Sequence, residues 1–255
     1  MIYSMVLYFN YKRAFKSVFT VSYFLLFAFS NLFSQIEDEN VTYQGWIDYN
    51  AIYHISKKFK VYGDVGFRKI SPNYWTRYYV RPAVRFVTSV GKKPGKYITI
   101  NYNLGIGTFF TNSADTSNLL EIRPFQGIEV QWPNFKWLNI DHYVRFEEQF
   151  VSFNNNWEFD MRLRYMLSGD FHWRKENWDK LNNIYIPVQI EFFWNILNSN
   201  QTDNLLRVAS GAGYTFNLKW KLEFNFIFQR SRLIVDDTYE TSDIIFRLRV
   251  FHTIF

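Results

Sequence analysis

Residues 97–110, YITINYNLGIGTFF, put Ile98, Ile100, Tyr102, Leu104, Ile106, Thr108 and Phe110 on one parity and Thr99, Asn101, Asn103, Gly105 and Gly107 on the other. A period of two means a β-strand with one apolar face. At roughly 3.3 Å per residue the segment spans about 46 Å, far beyond the usual strand of about 5 to 6 residues. After Gln35 the same grammar repeats, a run of alternation and then a polar break. It predicts strands near 41–55, 59–69, 75–88, 97–110, 119–132, 136–149, 157–168, 183–194, 204–216, 219–230 and 243–255, with no sustained helical period. In WEFDMRLRYML, Trp157, Phe159, Met161, Leu163, Tyr165 and Leu167 oppose Glu158, Asp160, Arg162 and Arg164; in WKLEFNFIF, Trp220, Leu222, Phe224, Phe226 and Phe228 oppose Lys221, Glu223, Asn225 and Ile227.

The breaks alternate in kind. One set is mostly tight: SKK at 56, PNF at 133 and NLK at 217, with VGKKPGK at 90 and a longer GDFHWRKENWDKLNN at 169. The other set, ISPNY at 70, TNSADTSN at 111, VSFNNN at 151, NILNSNQTD at 195 and SRLIVDDTYET at 231, reads as longer polar loops. Short turns on one side and long loops on the other are the pattern of outer-membrane barrels. The face opposite the apolar parity at 97–110 is uncharged and partly glycine, which suits a crowded barrel interior better than a solvated surface, so the apolar parity is expected to face lipid. Trp75, Trp157 and Trp194 fall where strands meet the longer loops, and Trp132, Trp137 and Trp220 where they meet the tight turns. Two aromatic belts are what a bilayer with two interfaces selects. Trp46 alone sits mid-strand.

The expected fold is therefore all-β, a transmembrane antiparallel up-and-down β-barrel. Eleven strands are countable, yet placing both termini on the periplasmic side requires an even number. About twelve strands are expected, with ten as the alternative, and the missing strand near the N-terminus or in the break at 169. The last strand ends in Phe255, as outer-membrane strands commonly do; it falls on the parity of Arg247 and Arg249 unless a bulge near His252 shifts the register.

Composition changes the picture at the N-terminus. Lys12, Arg13 and Lys16 precede the apolar stretch Val18 to Phe29 and then small or polar residues, so residues 1–34 read as a signal peptide cleaved between Ser30 and Gln35, and 35–255 as the barrel domain. The alternative, an uncleaved anchoring helix, has too short an apolar core. Aromatic residues at 22% beside charged residues at 20% exclude a disordered chain. No cysteine is present, which excludes disulfides and a Cys-linked lipid anchor. The leader takes three bases and no acid with it, leaving 26 bases against 23 acids, a net +3, too little to favour nucleic acid.

Most strand charge lies on the inward parity: Arg77, Arg81 and Arg85; Glu121, Arg123 and Glu129; Asp141, Arg145 and Glu147; Glu158, Asp160, Arg162 and Arg164; Arg247 and Arg249. These either pair across the lumen, since buried charges must be compensated, or line an anion-preferring path. Near-equal numbers of acids and bases favour pairing. Catalysis by a nucleophile and base has little to work with, because His54, His142, His172 and His252 have no matching Ser at strand spacing. His142 faces lipid between Ile140 and Val144, among neighbours expected to be aliphatic. Metal-ligand spacing, phosphate loops and nucleotide motifs are absent, so no cofactor is implied.

VYGDVGFR, RYYVRPAVRF, DHYVRFEEQFV, MRLRYML and DNLLRVASGAGYTFNLKWKLEFNFIF together resemble the uncharacterised bacterial outer-membrane family catalogued as domain of unknown function 2490, over about residues 41–255. Phe150 and Thr253 depart from its pattern. The resemblance implies a barrel and carries no established activity. The expected protein is a non-enzymatic, porin-like or structural barrel in the outer membrane of a Gram-negative bacterium. Its partners would be the lipid bilayer, the barrel assembly machinery and small solutes, with no nucleic acid. The alternatives are a lipid hydrolase using the lipid-facing His142 or His252 with a hydroxyl partner, and a soluble periplasmic β-sandwich.

Overall fold

Alternating Val, Ile, Tyr, Phe and Thr positions fit a pleated, half-buried surface, and each alternating segment forms a strand. In the computed structural model these are β1 (Val41–His54), β2 (Phe59–Ser71), β3 (Thr76–Val90), β4 (Ile98–Asn112), β5 (Leu119–Gln131), β6 (Leu138–Phe153), β7 (Asn156–His172), β8 (Asn183–Asn195), β9 (Asp203–Thr215), β10 (Trp220–Leu233) and β11 (Tyr239–Ile254). The structure describes residues 41–254 except 72–74, 92–96, 113–117, 134–136, 154–155, 173–182, 198–202 and 234–238. The expected leader, residues 1–34, and Phe255 lie outside the described residues.

The strands close into a barrel in which every sequential pair is antiparallel. β1 and β11 complete the circle side by side and parallel, from Val41 opposite Ser242 to Tyr53 opposite Ile254. This corrects the expected twelve strands. Among the described residues there are eleven, the number countable in the sequence, and the even-number rule fails because closure is parallel rather than antiparallel. It follows that Val41 and Ile254 stand at opposite ends. The end carrying Ile254 and the β1–β2 connection is here termed lower, its opposite upper.

One further expectation is corrected, and the register left open at the end of the last strand is answered. The lower connections run from four to ten residues and the upper ones from two to seven, so the expected contrast in loop length is absent. Sheet pairing carries the Asn- and Thr-rich edges into the strands, as at Thr111 and Asn112 of β4 and Ser152 of β6, because backbone hydrogen bonds extend a ladder whatever the side chain. No bulge occurs near His252 either: β11 keeps unbroken register with β10 through His252 and with β1 through Ile254.

Local chemistry sets the turns. The Ser56 hydroxyl accepts from the amides of Lys58 (3.3 Å) and Phe59 (3.0 Å), and the Asn217 side chain accepts from those of Lys219 (2.8 Å) and Trp220 (2.9 Å). Gly91 leaves β3 at φ 145°, a conformation in which a side chain would be strained.

The two faces are inverted relative to a water-soluble domain. On β4 the even residues Tyr102, Leu104, Ile106 and Phe110 are exposed, whereas Asn101, Asn103, Gly107 and Phe109 are buried. Val84 (51% exposed), Leu104 (59%), Ile184 (61%) and Phe224 (51%) stand outside; Asp48 (1%), Glu147 (0%) and Glu191 (0%) lie inside. Trp132, Trp137, Trp157, Trp194 and Trp220 are on the exposed surface.

Inside, glycines make room for rings. The Phe125 ring occupies the space a Cβ on Gly105 would need, with the Ala83 methyl 2.7 Å from the same point. Gly105→Leu should therefore overpack the lumen and lower stability by about 1–3 kcal/mol. Urea unfolding of the barrel in micelles checks this; an unchanged midpoint would mean the interior is looser than its contacts indicate.

Candidate functional site

The inward parity of β5 to β9 converges on two carboxylates excluded from solvent. Glu147 is approached by Arg123 (3.5 Å), Arg145, Arg162 (2.5 Å) and Arg164 (3.9 Å), from three strands. Glu191 is shared by Arg164 and Arg207 (2.7 Å). On the other side of the seam Asp48 receives the Arg247 guanidinium and the Tyr79 hydroxyl. Above Glu147, Arg123 pairs with Glu121, and the Gln149 amide, turned so that its oxygen faces Arg123, accepts at 3.1 and 3.3 Å.

Arginine rather than lysine suits this arrangement because its fork can bind a carboxylate while its plane stacks on a ring. Trp46 lies beneath Arg68 (4.0 Å), Arg207 (5.1 Å) and Arg247 (5.7 Å), and Phe193 meets Arg162, Arg164 and Arg207 at about 5 Å. Trp46, the mid-strand exception among the tryptophans, is 3% exposed and packs with Ala209, Ile227 and Ile245. Ring, fork and carboxylate thus brace the barrel from β1 to β9 at mid-depth.

The arginine wall of β3 divides. Arg81 grips Asp64 with two hydrogen bonds, 2.9 and 2.6 Å, and Arg85 reaches Glu129 (3.0 Å) and Asn103 (2.8 Å). Arg77 instead bonds the Thr111 hydroxyl (2.8 Å) and lies over the Trp75 ring (5.1 Å). Arg249 pairs with Glu223 at 3.3 Å, and the Tyr185 hydroxyl donates to the same acid at 2.8 Å. Asp160 accepts from the Met161 amide, Glu158 is exposed near the upper end, and Asp141 stands opposite Gln131 on the β5–β6 ladder. Arg81→Ala should strand Asp64 and lower stability by about 3 kcal/mol. Arg77→Ala, which removes a bond to a neutral hydroxyl, should cost about 1 kcal/mol. Parallel urea titrations compare the two; equal losses would contradict the division of the wall.

Sequence reasoning missed Asp48, Asp64, Arg68, Glu191, Arg207 and Glu223 as members of the set. Parity could have found them. Glu191 shares its parity with Tyr185, Gln189 and Phe193, and Arg207 with Ala209, Gly211 and Gly213, but each is the lone charge among uncharged residues.

The histidine environments also differ from expectation. His142 is flanked by Ile140 and Val144 on its own strand, but across strands its Nδ1 lies 2.8 Å from the Tyr165 hydroxyl and its ring 6.2 Å from that of Trp132. His252 repeats the pattern, with Nδ1 2.7 Å from the Tyr49 hydroxyl and its ring stacked 3.9 Å from Trp220. Both sets lie on the outer surface near the lower end. The aliphatic surroundings expected for His142 are thus corrected, because strand neighbours count as much as chain neighbours on a sheet.

A family model described as Protein of unknown function (DUF2490) matches residues 43–240, in agreement with the resemblance carried by the strand motifs. No curated protein and no solved structure gives a significant match.

Proposed function

The chain belongs to the DUF2490 family of unknown function, and from that premise we propose that it is a non-enzymatic β-barrel of a Gram-negative outer membrane, structural rather than openly porin-like. The observation that carries this reading is the inversion of polarity. Large apolar side chains cover the outside while Asp48, Glu147 and Glu191 are buried inside, an arrangement suited to a hydrocarbon solvent around the barrel. The Trp residues at both strand ends fit the two interfaces of a bilayer. Within such a barrel, the mid-depth lattice of arginines, carboxylates and rings would hold the wall in shape and obstruct free diffusion. Its partners are then lipid and the barrel assembly machinery, with no nucleic acid and no cofactor.

Envelope fractionation tests location: the protein should sediment with the outer membrane, lacking residues 1–34. Recovery in the soluble periplasm would overturn the reading and favour a soluble barrel. Planar-bilayer recordings test the lumen, with current expected at background and porin-sized steps contradicting a braced interior.

The second reading, a lipid hydrolase, draws on the Tyr hydroxyls beside His142 and His252. A phenol bonded to imidazole supplies a base but lacks the serine-like nucleophile that acyl transfer uses. Fatty acid released from phospholipid vesicles by the folded protein, and lost in both His142→Ala and His252→Ala, would establish it in place of the structural reading.

A further inference from the structure

On the inward parity of the described residues, a lysine or arginine stands directly opposite another across a ladder at Lys60 and Arg85, at Arg145 and Arg164, and at Arg68 and Arg77. Like charges in that position repel. In the first two pairs a carboxylate answers the repulsion: Glu129 binds Arg85 at 3.0 Å, and Glu147 and Glu191 bind Arg145 and Arg164. In the third, no carboxylate among the described residues lies within 4.0 Å of either arginine. The carboxylates that act on Arg68 and Arg77 from further away, Asp48 and Glu121, already hold Arg247 and Arg123.

What holds these two side chains leaves the edges of their forks free. Arg68 lies over the rings of Trp46 (4.0 Å) and Tyr79 (4.9 Å). Arg77 lies over the Trp75 ring (5.1 Å), and its Nε donates to the Thr111 hydroxyl (2.8 Å). A guanidinium resting on a ring by its face keeps its N–H edge for other partners. Both residues are half-buried, and among the described residues their terminal nitrogens, Nη1 and Nη2, form no hydrogen bond; nor are they shut off from solvent, as Arg68 Nε is. Trp46 is the β1 partner of Arg68 and Thr111 the β4 partner of Arg77, so the two forks lean apart and leave room between them. Arg77 is the second residue of β3 and Arg68 the fourth from the end of β2, which places the pair just inside the upper mouth of the lumen.

Two unneutralised cations with fixed, open forks call for an anion that can be gripped from both sides. A carboxylate offers one pair of oxygens and fills a single fork. A phosphoryl group carries about two negative charges near neutral pH and at least three acceptor oxygens, enough to bridge two forks and to balance both charges. We infer that Arg68 and Arg77 bind a phosphoryl group at the upper mouth of the barrel, either as free phosphate or as the head of a phosphate monoester. Trp46, Tyr79 and Trp75 hold the forks in place before the ligand arrives, which spares the ordering of two long side chains on binding. The inference needs the pairing of β2 with β3 but not the placement of the barrel in lipid, so either reading can fail without the other.

Titration calorimetry on the barrel folded in detergent micelles, in a buffer free of phosphate, tests it with inorganic phosphate, glycerol 3-phosphate and acetate as probes. Phosphate should bind saturably at one site, and acetate in tenfold excess should fail to displace it. Arg68→Gln and Arg77→Gln should each weaken phosphate binding at least tenfold, whereas Lys69→Gln, which removes an exposed cation from the outward face of the same strand, should change it less than twofold. Glycerol 3-phosphate binding as tightly as phosphate would identify the head of an ester as the ligand; its exclusion would identify the free ion. Labelling with phenylglyoxal, read by peptide mass spectrometry, needs no variant: Arg68 and Arg77 should react, and phosphate should protect both. Circular dichroism establishes that each variant folds; should one not fold, the labelling decides. Absence of saturable phosphate binding, displacement by acetate, undiminished binding in either folded arginine variant, or labelling that phosphate leaves unchanged would each overturn the proposal.

Discussion

Glu147→Ala should lower the unfolding free energy by about 3–5 kcal/mol, because it leaves a cluster of buried arginines without their shared carboxylate. Four guanidinium groups converge on this one fully buried side chain, which is the carboxylate they share. Glu147→Gln keeps the volume and removes the charge, so it should be nearly as damaging. The reverse deletion should be milder: Arg162→Ala leaves Glu147 with three other arginines. Urea titrations of the folded barrel measure all three. A loss below about 1 kcal/mol for Glu147→Gln, the range of exposed ion pairs, would mean that water screens the cluster.

The second large effect concerns the outer surface. Leu104→Arg should lower stability in lipid vesicles by about 2–4 kcal/mol, the penalty for a cation near the bilayer midplane, and Ile184→Arg, near the lower end, by about 0–1 kcal/mol. Both residues are well exposed, at 59% and 61%, so on a surface facing water neither change should exceed about 0.5 kcal/mol. The contrast therefore reports the medium around the barrel rather than packing within it. Refolding into vesicles with urea measures the two; equal, negligible costs would place the surface in water. The inward parity offers no mild control at Asn101, which is 2% exposed and donates to Glu129 at 3.1 Å, so an arginine there is also costly.

Much of this architecture is legible in the sequence, because a barrel wall is a local pattern repeated. The clean parity at 97–110 gives both the strand and its faces, and the buried Asn101 and Asn103 lie where alternation puts them. Strand ends are less legible: nothing in the polarity of Ser152 or Thr241 says that the ladder continues through them, since pairing depends on the partner strand. Closure is not legible at all. That β1 meets β11 in parallel depends on the curvature and shear of the whole sheet, and a rule presuming antiparallel closure gave twelve strands. The charge clusters were visible one strand at a time, as with Arg77, Arg81 and Arg85. Their partners Asp64 and Glu129 stand on β2 and β5, and only the register between strands joins them. The same limit hid Tyr165 from His142.

The inverted barrel can be examined most directly at Leu104. The chain contains no cysteine, so Leu104→Cys gives a single attachment point for a nitroxide spin label in the protein reconstituted into phospholipid vesicles. Collision of the label with dissolved oxygen, which concentrates in hydrocarbon, should far exceed collision with a water-soluble nickel chelate. The opposite ranking, with the chelate reaching the label freely, would place this face in water and contradict the account.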